Sequence, residues 1–287
     1  MQVKRINKIT RLIFVIKYTP FTYFRGVQKP EAYNDVKKNK NRNHNILFLQ
    51  FKSYKTITQE ISDMYESLLR LPYFQGLSIN DITAILDKVT LEFKKIKEGD
   101  TIYNIGDKCD TFSILTQGEL QCYSVSPDNT YSITEIIDSP FAIEPESMFG
   151  YDTSYKSRYT AKSECTVLVI DKKFLFSDFI KHNIFTINFL NLISHSTQKQ
   201  RLAIWNFTPT TIEERIAHFI FMRCNTHKGE KRISIKMERL ATILCETRLN
   251  ISKALNNMQE NNLIELHRKE IVVPQMELLK KETDKQS

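Results

Sequence analysis

The sequence predicts an α+β chain in which a β-roll, a long helix and a winged helix follow one another. Three observations carry this. Between Leu91 and Ile170 the apolar period falls to two. The short runs break at Gly99-Asp100, Gly106-Asp107, Gly118-Glu119, Pro127-Asp128 and Gly150, the close spacing of an all-β roll. From Ser177 to Phe207 there is neither Gly nor Pro, enough for a helix of roughly 35 to 45 Å. Finally, Lys236 to Val273 reads as two short helices across a tight turn and then two strands.

The first 58 residues carry 13 Lys/Arg against 2 Asp/Glu, with a polar run from Asp35 to Asn45 and no sustained period. They are expected to be a basic extension outside the fold, either an arm that adds phosphate contacts or an inert tail, with Met64 as an alternative start. From Thr58, Ile61, Met64, Tyr65, Leu68 and Leu69 keep one helical face, and Ile82, Ile85 and Leu86 keep another within Asn80 to Val89. Leu71 to Ser78 turns between the two. The expected division is 1–58 extension, 59–175 roll, 176–207 long helix and 208–287 winged helix.

The long helix clusters Phe179, Phe185, Ile187, Phe189, Leu190, Leu192 and Ile193 and turns polar from Ser194 to Arg201. A helix so long and apolar does not stand alone. It is expected to pack on a second copy of itself through Phe189, Leu190 and Ile193, with Ser194 and Thr197 in a polar seam or facing an effector. Thr208-Pro209-Thr210-Thr211 ends it and forms the hinge. Either Thr210 with Glu213 or Thr211 with Glu214 offers a capping box for the next helix.

The last module is the most specific. Lys236 to Leu244 is one amphipathic segment, Cys245-Glu246-Thr247 a turn, and Arg248 to Asn261 a helix carrying Arg248, Asn250 and Lys253 outward. This helix-turn-helix geometry lays its second helix in a DNA major groove. Leu263 to Leu266 and Glu270 to Val273, joined by His267-Arg268-Lys269, supply the wing. Charge agrees with such a partner: residues 59–207 hold 14 Lys/Arg against 20 Asp/Glu, while 208–287 hold 14 against 11.

Other classes are excluded. The five cysteines are odd in number and lack metal-finger spacing, so they read as free thiols of a reducing cytoplasm, and no metal site is expected. The apolar run Leu12 to Ile16 ends at Lys17, too short for a signal peptide, and no later stretch is long enough to span a membrane. A metal enzyme on a β-roll needs histidines on its strands, and residues 45 to 181 contain none. Neither a G-x-S-x-G elbow nor a phosphate-cradling loop is present, so no catalytic residue is expected.

The order of elements, with Leu71-Pro72-Tyr73-Phe74-Gln75-Gly76-Leu77, Gly99-Asp100-Thr101-Ile102-Tyr103, Gly106-Asp107, Ile114 to Leu120, Glu213 to Ala217, Leu240-Ala241, Thr247-Arg248 and Asn262-Leu263-Ile264, resembles the Crp/Fnr family of bacterial transcription regulators over residues 59 to 273. The resemblance implies a cyclic-nucleotide-binding-like roll, a homodimer, double-stranded DNA as partner and RNA polymerase as a further one. It implies that Thr247 caps the recognition helix and touches phosphate, that Arg248 reads guanine, and that Lys253 is a second basic position. Leu249 falls where many members carry an acidic residue. It cannot accept from cytosine but can touch a thymine methyl, which predicts a different half-site. Asn250, His267, Arg268 and Lys269 are the further phosphate contacts expected. Cys245 stands where a turn glycine is usual, a strained choice if φ there is positive.

The effector side departs from the resemblance. Nucleotide-binding members carry Phe-Gly-Glu and a later arginine that pairs with the cyclic phosphate. Here the first motif reads Phe149-Gly150-Tyr151, and Tyr155 falls at the arginine position with Lys156 beside it. No cofactor and no cyclic nucleotide is therefore expected, and the effector, if any, is unidentified. Two alternatives stay open: a cyclic-nucleotide-responsive regulator, and a regulatory module whose helix-turn-helix contacts only protein.

Overall fold

The computed structural model describes residues 68–86, 91–206 and 209–279, and the chain divides into two compact units. The basic extension, the start of the first helix and Val89 lie outside the described residues. In the first unit a 3-10 turn at Pro72–Phe74 leads to helix α1, Ile79–Leu86. Ser78 caps α1: its hydroxyl accepts the Asp81 N–H, and the Asp81 carboxylate accepts the Ser78 N–H in return. Donation from the Ser78 hydroxyl at 2.6 Å, and then from the Ser78 N–H, holds the Asp81 carboxyl below its ordinary range. A second 3-10 turn, Phe179–Lys181, tucks Phe179 against Phe74 and Phe185, with ring centroids 6.1 and 4.9 Å away.

That turn corrects the expected long helix. Lys172–Ser177 forms a short helix, α2, and the long one, α3, runs Asn183–Asn206. The buried Phe179 is satisfied by the tighter turn, whose end is tied by the Thr186 hydroxyl donating to the Ile180 carbonyl at 2.8 Å. At 24 residues α3 is about 36 Å long.

The second unit contains the roll and the winged helix. Among the described residues eleven strands run in chain order: β1 Glu92–Ile96, β2 Thr101–Tyr103, β3 Thr111–Gln117, β4 Glu119–Val125, β5 Tyr131–Asp138, β6 Phe141–Ile143, β7 Ser157–Ala161, β8 Cys165–Asp171, β9 Lys231–Ile235, β10 Glu265–His267 and β11 Glu270–Val273. One sheet has the order β1-β8-β3-β6, and its inner strands bury Phe112, Ile114, Leu115, Val167, Leu168 and Ile170. The corner between β3 and β4 shows why a glycine stands there. Gly118 has φ of +89°, and a Cβ would lie 2.5 Å from the Glu164 carbonyl oxygen.

The other sheet has seven strands, in the order β10-β11-β9-β5-β4-β7-β2. Strand β9 is absent from the sequence expectation. It pairs with β5 of the roll on one side and with β11 of the wing on the other, so the wing and the roll share one sheet.

Helix α4, Ile212–Phe221, starts at a complete capping box between Thr211 and Glu214, the second of the two pairings considered. Its inward residues Ile216, Ala217, Phe219 and Ile220 pack with Leu240 and Ala241 of α5 (Met237–Ile243) and with Ile251, Ala254, Leu255 and Met258 of α6 (Arg248–Glu260). The buried positions of α6 recur at three and four residues, one stripe of a helix. The opposite face is left to solvent.

Candidate DNA-reading surface and sensor core

Thr247 starts α6 as its N-cap, its hydroxyl accepting the Asn250 N–H at 3.2 Å. Arg248, Leu249 and Lys253 lie on the exposed face, Leu249 at 64% exposure. Arg248 Nη1 is 3.2 Å from Glu238 Oε1 of α5. The turn between the helices is held from α4: Arg215 donates to the Leu244 carbonyl at 3.1 Å and pairs with Glu246. Glu246 in turn accepts the Asn250 side-chain amide at 3.1 Å, and these bonds lower its carboxyl below the ordinary range. Asn250 therefore braces the turn with its amide and is half-buried, rather than projecting as a free phosphate contact.

Cys245 has φ of +53°, so the left-handed position of the turn is filled by a residue with a Cβ. In the wing, His267, Arg268 and Lys269 are all exposed, His267 lies 3.6 Å from Glu265, and Lys269 has φ of +65°. Between α5, α6 and the wing runs a cleft of about 270 Å³, with Lys236, Glu238, Arg248, His267 and Lys269 on its walls. A rigid helix flanked by a basic turn, with its apolar face fully used by the core, can present cations to phosphates and side chains to base edges.

Inside the roll, Tyr155 is fully buried and stacks on Tyr103, ring centroids 4.2 Å apart and 17° from parallel. The Tyr103 hydroxyl is 2.6 Å from Ser113 Oγ and 3.0 Å from Thr111 Oγ1. Burial pushes the Tyr155 phenol up, so it is neutral. The next two residues aim their N–H groups at one carboxylate: Lys156 donates to Glu144 Oε2 at 2.7 Å and Ser157 to Glu144 Oε1 at 2.9 Å. The hydroxyls of Ser147 and Tyr159 complete the set at 3.0 and 3.2 Å. Glu144 is buried and has φ of +40°, held there by four donors.

This corrects the sequence reading of the roll. Phe149-Gly150-Tyr151 places the acidic residue too late: Tyr151 is fully exposed, Gly150 is exposed, and Phe149 packs edge-on to Phe176 and Phe189. The buried carboxylate in this part of the roll is Glu144, in Phe141-Ala142-Ile143-Glu144. The signal was a Glu directly ahead of Pro145, with Glu146 two residues on as the competing carboxylate. The Lys156 ammonium lies outside, on Asp152 and Ser154. Ser194 and Thr197 are exposed on α3, where the Thr197 hydroxyl donates to the Ile193 carbonyl at 3.2 Å.

Of the residues expected at a helix–helix contact, Leu190 is exposed and Ile193 half-buried, but Phe189 is turned inward against Phe112 and Phe149. Phe189 therefore anchors α3 to its own roll. All five cysteines are free, and burial pushes Cys122 up to about 11 and Cys224 up to about 12, which keeps those thiols protonated. Among the described residues no cluster of His, Cys, Asp and Glu has the arrangement of a metal site, and no helix is long and apolar enough to cross a membrane.

A roll followed by a helix-turn-helix reader that exposes Arg248 and Lys253 has the make-up of a two-module DNA-binding regulator. Residues 93–183 match the family model of the cyclic nucleotide-binding domain, and residues 214–282 match that of the Crp-like helix-turn-helix domain. The chain belongs to the Crp/Fnr family of transcription regulators and is a DNA-binding protein of that family. No curated protein matches it by sequence. Among solved structures it is similar to the catabolite activator protein of Thermus thermophilus, at 14% identity over 76% of this chain and 100% of that one, with a TM-score of 0.42. It is also similar to DNR from Pseudomonas aeruginosa, at 15% identity over 76% and 96%, TM-score 0.38. A Crp/Fnr-family regulator from Eubacterium rectale is 17% identical over 75% and 98%, TM-score 0.42.

Proposed function

We propose that this protein is a cytoplasmic homodimer that binds a palindromic operator and regulates transcription through RNA polymerase, without chemistry of its own. The observation that carries the DNA reading is the division of α6. Ile251, Ala254, Leu255 and Met258 are committed to the core, while Arg248, Leu249 and Lys253 face solvent beside the basic wing. Arg248 and Lys253 select sequence, Leu249 favours thymine, and Thr247, Arg268, Lys269 and His267 contact phosphate. Such phosphate contacts supply most of the affinity and make it fall with salt.

The homodimer is supported by α3, which leaves Ile184, Ile187, Leu190 and Leu202 exposed along its length. A row of large apolar side chains on a 24-residue helix calls for a second helix of the same kind. Two reading heads joined in this way enter successive major grooves about 34 Å apart.

The roll is not expected to respond to cyclic AMP or GMP. A cyclic phosphate needs a buried cation and free N–H donors. Neutral Tyr155 fills the position of the cation, and Glu144 occupies the N–H groups of Lys156 and Ser157. Selection of bound duplexes from a random DNA pool at fixed salt, with and without cyclic AMP, tests all of this. The expected result is a palindrome with half-sites one helical turn apart, enriched equally in both pools. If no motif emerges, DNA is not the partner under those conditions; sharpening by cyclic AMP would overturn the reading of Tyr155 and Glu144.

A further inference from the structure

The outer edge of β5 is a strand edge that an isolated roll would expose, and such edges are normally covered or charged. Here β9 of the reader covers it over five residue pairs, from Tyr131 opposite Ile235 to Glu135 opposite Lys231. The joint has an apolar layer as well as a ladder, because Ile133 of the roll is buried in the reader's own core with Ile216, Ile233 and Ile235.

Both ends of the joint are pinned by side chains. At one end Arg239 of α5 donates to Thr130 Oγ1 at 2.8 Å and pairs with Asp128, in the turn between β4 and β5. Arg223 donates to the Tyr131 hydroxyl at 2.8 Å. At the other end Glu135 is buried and accepts from three parts of the reader. Lys231 Nζ lies 3.0 Å from Oε2, the Asn225 N–H and amide lie 2.8 and 2.7 Å from Oε1, and the Thr226 N–H lies 3.2 Å from Oε2. A buried ion pair is a poor source of stability, because opening returns both charges to water, but it disfavours every other register that would keep them buried without each other.

We propose that this joint stays closed on DNA, so that roll and reader turn as one body and Glu135 is a positioning residue for operator recognition. Glu135 touches no DNA. It acts through Lys231 and β9, which fix the angle at which α6 leaves the roll and hence the distance between half-sites in the dimer. The inference rests on the DNA-binding dimer proposed above. It also moves the origin of half-site spacing away from the connection between α3 and α4.

The two properties can be measured apart. Base preference within a half-site reports α6, and preference for spacer length reports how the two heads are held. Glu135→Gln is expected to keep the half-site profile and lose preference among spacers, an outcome that general destabilisation would not give. An unchanged spacer profile would overturn the role of Glu135. Independently, Ser132 and Ser234 lie directly opposite across the joint, on its more exposed face. A Ser132→Cys/Ser234→Cys protein carrying Cys245→Gly to remove the exposed thiol can be locked by oxidation. Equal operator affinity and the same optimal spacer, oxidised and reduced, are expected. Loss of binding on oxidation with recovery on reduction would show that the joint opens on DNA and sink the proposal, even if Glu135→Gln fails to fold. If the reduced protein and the wild type select no palindrome at all, it is the DNA-binding dimer that fails.

Discussion

Arg248 Nη1 lies 3.2 Å from the Glu238 carboxylate, so the arginine best placed to read a base is held, in the free protein, by the preceding helix. Both side chains are mostly exposed, at 69% and 62%, and an ion pair of that kind is worth no more than about 1 kcal/mol. Its cost to DNA binding is larger than its worth to the fold, because Glu238 also sets a negative charge where phosphates approach. Glu238→Gln is expected to raise operator affinity by roughly two- to fivefold, within that 1 kcal/mol, and to leave thermal stability unaltered. Fluorescence anisotropy at fixed salt reads the first and a melting curve the second; weaker binding would mean that Glu238 orients Arg248 productively.

Replacing Arg248 itself separates base reading from phosphate contact. Arg248→Ala is expected to cost roughly 1 to 3 kcal/mol on the preferred operator and to flatten preference at one position per half-site. Lys269→Ala is expected to weaken binding evenly across sequences and to lower the slope of log affinity against log salt. Parallel binding selections on the two variants check this. If Arg248→Ala leaves the base profile intact, Arg248 is a phosphate contact and the specificity lies elsewhere on α6. If neither the wild type nor Arg248→Ala binds DNA while dimerisation and regulation persist in both, the helix-turn-helix contacts protein instead.

Cys245 occupies a left-handed position at φ of +53°, where a side chain with Cβ is strained by about 1 to 2 kcal/mol. Glycine removes the strain but gains freedom in the unfolded chain, so Cys245→Gly is expected to stabilise by roughly 1 kcal/mol or less. In urea the midpoint should rise with an unchanged slope. Cys245→Val, a β-branched residue at the same φ, should lower it. Equal midpoints for all three proteins would mean that the turn relaxes out of the left-handed region.

What could be read in the sequence was local. Thr211 with Glu214, the turn at Cys245 to Thr247 and the wing around Arg268-Lys269 are spelled out within a few residues of one another, and the structure has each of them. What could not be read was long-range. The alternation of Lys231-Arg232-Ile233-Ser234-Ile235 puts a lysine on the buried face, which reads as a surface segment until its partner Glu135, far upstream, is beside it. Phe189 sits on a helix that is apolar on more than one side, and period alone does not say which side meets the roll and which a second chain. Glu144 was hidden for the same reason, because three of its four donors lie 12 to 15 residues further along.

Glu144 yields the last expectation. Its carboxylate accepts two main-chain N–H groups and two hydroxyls inside the roll, bonds to a charged acceptor worth about 1.5 to 3 kcal/mol each when lost from a buried site. Glutamine is isosteric but turns one acceptor oxygen into a donor, so either the Lys156 or the Ser157 N–H must face an NH2 group. Glu144→Gln is therefore expected to destabilise the protein by roughly 2 kcal/mol, through the roll. Tyr155→Arg, in contrast, restores a cation but leaves Glu144 on the N–H groups, and is expected to acquire no cyclic AMP binding by calorimetry. Binding by the Tyr155→Arg protein would mean that Glu144 yields its donors to a phosphate; a stable Glu144→Gln protein would mean that the four bonds hold nothing in place.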